Sequence, residues 1–235
     1  MNKSPVRKIL AMGGGGFSME PGNLLLDQFF FSLAEKSKPE VCFIGTASGD
    51  AQGYIERFYD YMKDHEVTPS HLSLFKAPEG SLRDYVLSKD VIYVGGGNTR
   101  NLMTLWREWG LDKILLEAYQ RGVVLGGLSA GGLCWFDEGV TDSIPGSLTK
   151  LSCMNILSGS FCPHYDGEIE RRPAYHKLIQ DGLKAGYACD DSAAVYFENE
   201  KFIESVSSIQ SASTYYLKNE GGRISEEKIA TRFLG

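Results

Sequence analysis

The residues of this 235-residue chain best suited to nucleophilic chemistry are Gly127-Leu128-Ser129-Ala130-Gly131. They match G-x-S-x-G, in which small residues let the chain turn sharply from strand to helix and present the serine hydroxyl. The plain alternative is a glycine-rich turn whose serine caps the next helix. A hydroxyl attacks near neutral pH only when a base takes its proton, and the chain has four histidines. His65 and His71 fall in a charged stretch between a helix and a strand, and His176 sits inside a helical pattern. His164 follows the apolar run Ser160-Phe161-Cys162-Pro163, at an expected strand end, so elimination selects it as base. A carboxylate must then fix the imidazole tautomer. Asp191, after the strand-like Tyr187-Ala188-Cys189, is favoured; Asp142 is second, and Asp166 would have to curl back. For the developing oxyanion, the Ala130 and Gly97 N–H groups are the expected donors. Gly95-Gly96-Gly97-Asn98 equally serves as a tight strand-to-helix connection.

These residues need a frame. Lys8 to Met12, Glu40 to Ile44, Val91 to Val94 and Val123 to Leu125 are short apolar runs, each ending in glycines. Continuous rather than alternating apolar runs mark strands buried on both faces. Leu24 to Lys36, Gly53 to His65 and Arg100 to Gln120 carry apolar residues at three- and four-residue spacing, the mark of amphipathic helices. This βαβα alternation predicts a mostly parallel sheet with helices on both sides. Ligands of such folds bind beyond the carboxyl ends of the strands, where the glycine loops converge. After Ser143 the pattern shifts to a helix near Pro173 to Leu183 and strands at Gly186 to Cys189, Ala193 to Phe197 and Ser205 to Leu217. Lys218 to Gly222 reads as a turn between antiparallel strands near the sheet edge. No linker or repeat stands out, so one domain over 1–235 is expected.

Composition excludes several classes of function. A net charge of −6 disfavours nucleic acid as a partner. The longest uncharged stretch, Gly122 to Phe136, is too short for the ~20 residues of a membrane span. Five scattered cysteines with no C-x-x-C pair point to reduced thiols, hence a soluble cytoplasmic protein. Thr214-Tyr215-Tyr216 fits either core packing or a contact with a second copy in a homo-oligomer.

Val94-Gly95-Gly96-Gly97-Asn98-Thr99, Gly127 to Gly131 and Cys162-Pro163-His164 together resemble the peptidase E (aspartyl dipeptidase) and cyanophycinase family of serine peptidases, over roughly Lys8 to Phe197. The resemblance implies a three-layer α/β/α sandwich similar to class I glutamine amidotransferases, with serine in place of cysteine at the turn. It implies Ser129 as nucleophile, His164 as base, Gly97 and Ala130 as oxyanion donors, and no metal or organic cofactor. Asp191 stands where cyanophycinase-like members have a glutamate, and Asp142 roughly where peptidase E has an aspartate. Family substrates carry an aspartyl residue before the cleaved bond, which makes Arg171 and Arg172, with Asn98, the expected substrate-binding residues. Glu168 to Arg172 reads equally well as a solvated helix start. The leading expectation is hydrolysis of a short peptide or isopeptide through an acyl-enzyme. The alternatives are an esterase or amidase on a non-peptide acyl group, and a non-catalytic nucleotide-binding module using Gly13 to Gly16 as a phosphate cradle, although that run lacks a P-loop Lys-Ser/Thr.

Overall fold

A computed structural model describes residues 5–76 and 80–235. Along the chain run β1 (Lys8–Met12), α1 (Gly16–Met19), α2 (Leu25–Ser32), β2 (Glu40–Ile44), α3 (Gln52–Met62), β3 (Thr68–Leu72), α4 (Leu82–Leu87), β4 (Val91–Val94), α5 (Thr99–Trp109), α6 (Leu111–Gln120) and β5 (Val124–Leu128). There follow α7 (Ala130–Leu133), β6 (Phe136–Thr141), β7 (Thr149–Ser152), β8 (Leu157–Cys162), α8 (Arg171–Gln180), β9 (Gly186–Cys189), β10 (Ala193–Glu198), β11 (Lys201–Ser207), β12 (Thr214–Glu220), β13 (Arg223–Ile229) and β14 (Thr231–Phe233).

Eight strands form a sheet in the order β14-β11-β10-β1-β5-β4-β2-β3, parallel from β1 through β3. Every residue of β1, β4 and β5 is buried, which is why their sequences run apolar without alternation. Successive side chains still serve opposite faces. Leu10 and Met12 pack with Phe17, Phe30 and Phe58 of α1, α2 and α3. Ile9 and Ala11 join Leu102 and Trp106 of α5 and Leu115 of α6. The α/β class with helices on both faces of a largely parallel sheet is therefore observed.

A second sheet accompanies the first. Beyond β1, strand β10 pairs antiparallel with both β1 and β11, β14 pairs parallel with β11, and the second sheet, β13-β12-β9-β8-β6-β7, stacks on that part of the first. Aromatic rings fill the join: Phe136 of β6 meets Phe197 of β10 at 5.8 Å, and Tyr187 of β9 meets Phe202 of β11 at 5.4 Å. Full burial of a phenylalanine such as Phe136 stabilises by about 1.5–3 kcal/mol. Helix α8 covers the outer face of the second sheet through Tyr175 and Ile179.

Local differences have local causes. The predicted helix over 100–120 is two helices, because Gly110 takes a left-handed φ of 66° and closes α5 before α6 begins. Strand β3 escapes the sequence pattern because it is an edge strand carrying Pro69 and an exposed His71. The turn at Lys218–Gly222 does join antiparallel strands, β12 and β13, with Glu220 opposite Arg223. Thr214, Tyr215 and Tyr216 are taken up inside the chain: Thr214 is fully buried, Tyr215 lies 5.2 Å from Tyr165, and Tyr216 lies 5.0 Å from Tyr187.

Candidate active site

Ser129 follows β5 directly and adopts φ 54°, ψ −114°. A residue with a Cβ is strained there by about 1–3 kcal/mol, so its surroundings must hold it. They do so on both sides: the Ser129 N–H donates to the Met12 carbonyl of β1 at 3.1 Å, and its carbonyl accepts from Gly132 and Leu133. Gly127 and Gly131 lie so close to the Val94 carbonyl of β4 that a Cβ on either would collide with it. The sharp turn is thus wedged between two strands, and only glycine fits at those flanks. The Ser129 side chain makes no capping hydrogen bond.

Beside the turn lies the loop after β4. A Cβ on Gly96 would approach the Ser129 Cβ to 3.3 Å, and Gly97, at φ 137°, packs against the Ala47 carbonyl. The Asn98 N–H fixes the loop to that same carbonyl at 2.8 Å. Among the described residues, the N–H groups of Gly97 and Ala130 find no acceptor. Asn98 caps α5 through its side-chain oxygen, 2.9 Å from the Asn101 N–H, and its amide donates to the Ser143 carbonyl.

The histidine arrives from the second sheet. Strands β8 and β9 are parallel neighbours with Cys162 opposite Ala188, so both chains leave the sheet at the same end. His164 and Asp191 then meet: Nδ1 lies 2.6 Å from Asp191 Oδ1. His164 has a positive φ of 52°, and its side chain is 14% exposed. Ser129, His164, Gly97, Asn98, Asp142, Ser143, Glu168 and Arg171 line one cavity of about 250 Å³. No hydrogen bond joins Ser129 to His164 among the described residues; such contacts commonly tighten only with substrate bound. Cys162, two residues before His164, is fully buried, and burial pushes its thiol up to about 12, leaving no thiolate to compete as nucleophile.

The family model of peptidase family S51 matches residues 9–205. The chain belongs to that family. It is a serine-type peptidase of the peptidase E kind. It is 54% identical over 231 residues to the uncharacterized peptidase YgaJ of Bacillus subtilis (strain 168), a match that covers 98% of this chain and 100% of the relative. It is 27% identical over 150 residues, 60% of this chain and 72% of the other, to the uncharacterized peptidase Lmo0363 of Listeria monocytogenes. The crystal structure of a peptidase from an acI-B1 Actinobacterium shares the fold, with a TM-score of 0.71 at 19% identity over 96% of this chain and 95% of that one. Family membership sets aside the non-catalytic nucleotide module. In this S51 peptidase the tetraglycine is filled by the chain itself, since a Cβ at Gly13 would strike the Asp190 carbonyl and one at Gly14 the Asp191 carboxylate.

The remaining sequence-selected residues separate. Asp142 makes no hydrogen bond or ion pair with His164 among the described residues; its carboxylate is 69% exposed and 3.8 Å from Arg171. Arg171 lines the cavity and is 3% exposed, with Nε on Glu168 at 2.6 Å and Nη1 on the Val140 carbonyl at 3.2 Å. Arg172 points elsewhere: it pairs with Glu226 and stacks on the rings of Tyr165 and Tyr215. Adjacent helical residues diverge by about 100°, which is why neighbouring arginines part company. His176 also binds Glu226, at 2.6 Å, and His71 binds Tyr59, so neither faces the cavity. Among the described residues, no helix is long and apolar enough to cross a membrane. Glu168 and Ser143 are not among the residues that the sequence singles out; Glu168 lies three residues before Arg171, and Ser143 directly follows Asp142.

Proposed function

We propose that this S51 peptidase cleaves short peptides through an acyl-enzyme on Ser129. His164 takes the hydroxyl proton as Oγ attacks the scissile carbonyl, and the N–H groups of Gly97 and Ala130 hold the oxyanion, each worth about 3 kcal/mol of barrier. His164 then returns the proton to the leaving amine. Water, deprotonated by the same imidazole, releases the acyl group. Asp191 keeps the imidazole in the tautomer that leaves Nε2 free to act as base. The observation that carries this reading is the strained Ser129 turn opening on the cavity that His164 also lines.

For the substrate we propose an aspartyl residue before the cleaved bond, with Arg171 as the cation that meets its carboxylate. Among the described residues Arg171 is the one arginine or lysine lining the cavity, and Glu168, its partner, is half exposed. Arg172 has no part in this reading. The protein acts as a single peptidase domain in the cytoplasm, a view supported by five cysteines that are all free and buried.

A dipeptide panel varied at the first residue, with simple esters alongside, tests both levels. Wild type should favour aspartyl dipeptides at least tenfold, and Arg171→Ala should bring that preference within about threefold. Ser129→Ala should abolish turnover at an unchanged melting temperature; activity within tenfold of wild type would remove the mechanism. Faster turnover of esters than of every peptide would reassign the substrate class.

A further inference from the structure

We infer that Asp166 is a positioning residue that holds Asp191 in line with His164; this rests on the reading of those two as base and acid. Two loops leave the parallel ends of β8 and β9, and each clasps the other. The Tyr165 N–H donates to the Cys189 carbonyl at 3.0 Å, and the Asp191 N–H donates to Asp166 Oδ1 at 2.8 Å. Between those two bonds lies the His164 Nδ1–Asp191 Oδ1 contact at 2.6 Å. The clasp closes around the carboxylate itself. A Cβ at Gly167 would strike Asp191 Oδ2, and one at Gly14 would strike Oδ1, so both oxygens rest against glycine backbone. The Asp191 side chain therefore has walls on two sides and its main chain is pinned by Asp166.

A carboxylate at 166 carries a cost that a merely decorative surface residue would avoid. It adds a third negative group beside Asp190 and Asp191. Burial, and after it the charge of Asp166, push Asp190 up to about 6. What Asp166 supplies in return is a side-chain oxygen placed to accept from the Asp191 main-chain N–H. That bond ties down the loop from which the Asp191 side chain meets the imidazole.

Asp166→Ala removes the acceptor, whereas Asp166→Asn keeps an oxygen there and removes only the charge. Misplacing a catalytic group by about 1 Å costs on the order of 100-fold. The alanine variant should therefore lose roughly 10- to 100-fold in kcat with KM within twofold. The asparagine variant should stay within about threefold. A second readout needs no turnover. The short imidazole N–H···carboxylate bond should give a far-downfield proton resonance, present in wild type and Asp166→Asn, absent in Asp166→Ala, and assigned by its loss in His164→Gln. An alanine variant with wild-type kcat and an unchanged resonance would overturn the inference, as would equal losses in both variants, which would make charge rather than alignment the cause. An active Ser129→Ala would instead remove the base–acid reading, and the role of Asp166 with it.

Discussion

The two sheets build their shares of the cavity by different means. The eight-stranded sheet supplies Ser129 and the Gly97 loop through close packing: buried strands on either side, glycines where a Cβ would strike a carbonyl, and a serine held at a strained φ. The six-stranded sheet supplies His164, with Asp191 on the loop that leaves it, through polar bonds between two partly exposed loops. The first share is shaped by exclusion and the second by attraction. The first should therefore be rigid before substrate arrives, and the second adjustable by single side chains.

The largest effect expected from probing this contrast lies on the polar side. Asp191→Asn should lower kcat by about 10³- to 10⁴-fold through the wrong imidazole tautomer, while Asp142→Asn changes it less than tenfold. Steady-state kinetics on one aspartyl dipeptide decides between them, and the reverse order would transfer the acid to Asp142. On the packed side, Ser129→Gly relieves the strained φ. It should raise stability by about 1 kcal/mol, or ~2–4 °C in melting temperature for a chain of this size, while ending activity. A lower melting temperature would mean that the turn is not under strain. A further effect, read in the pH dependence of stability rather than in turnover, concerns the polar exception within the packed half. Asp27 is fully buried under Gly16, and burial pushes its carboxyl up to about 7. Because the folded value exceeds the unfolded one, the folded state holds this proton more tightly. The stability so gained is complete below about pH 4 and is lost as pH rises through about 7. Wild type should lose melting temperature between pH 5 and pH 8 relative to Asp27→Asn, as followed by calorimetry; parallel profiles would show that Asp27 does not titrate in that window.

The same contrast governs what the sequence disclosed. The strand–turn–helix at Ser129 and the glycine loop at Gly97 are local patterns, each written within a few consecutive residues, and so is the central parallel sheet. His164 emerged by elimination. The sequence leaves the acid open between Asp191 and Asp142, because the contact of Asp191 with His164 depends on the parallel pairing of β8 with β9, and no local pattern announces a second sheet. Strands β6 and β7 mix polar and apolar residues without strong periodicity, which hid that sheet. Gly13 to Gly16 stand out in composition, yet Gly13 and Gly14 are where the loop carrying Asp190 and Asp191 comes too close for a Cβ. The Asp166 bond to the Asp191 amide had no signal beyond its closeness to His164.

Asp191 sits where the chain steps from β9 in one sheet to β10 in the other. Any sliding of one sheet over its partner is therefore transmitted to the imidazole's companion within a few bonds. Trimming the aromatic seam, at Phe136 or Tyr187 for example, should slow turnover well before it unfolds the protein. Catalytic rate thus becomes a fine gauge of how squarely the two halves are seated.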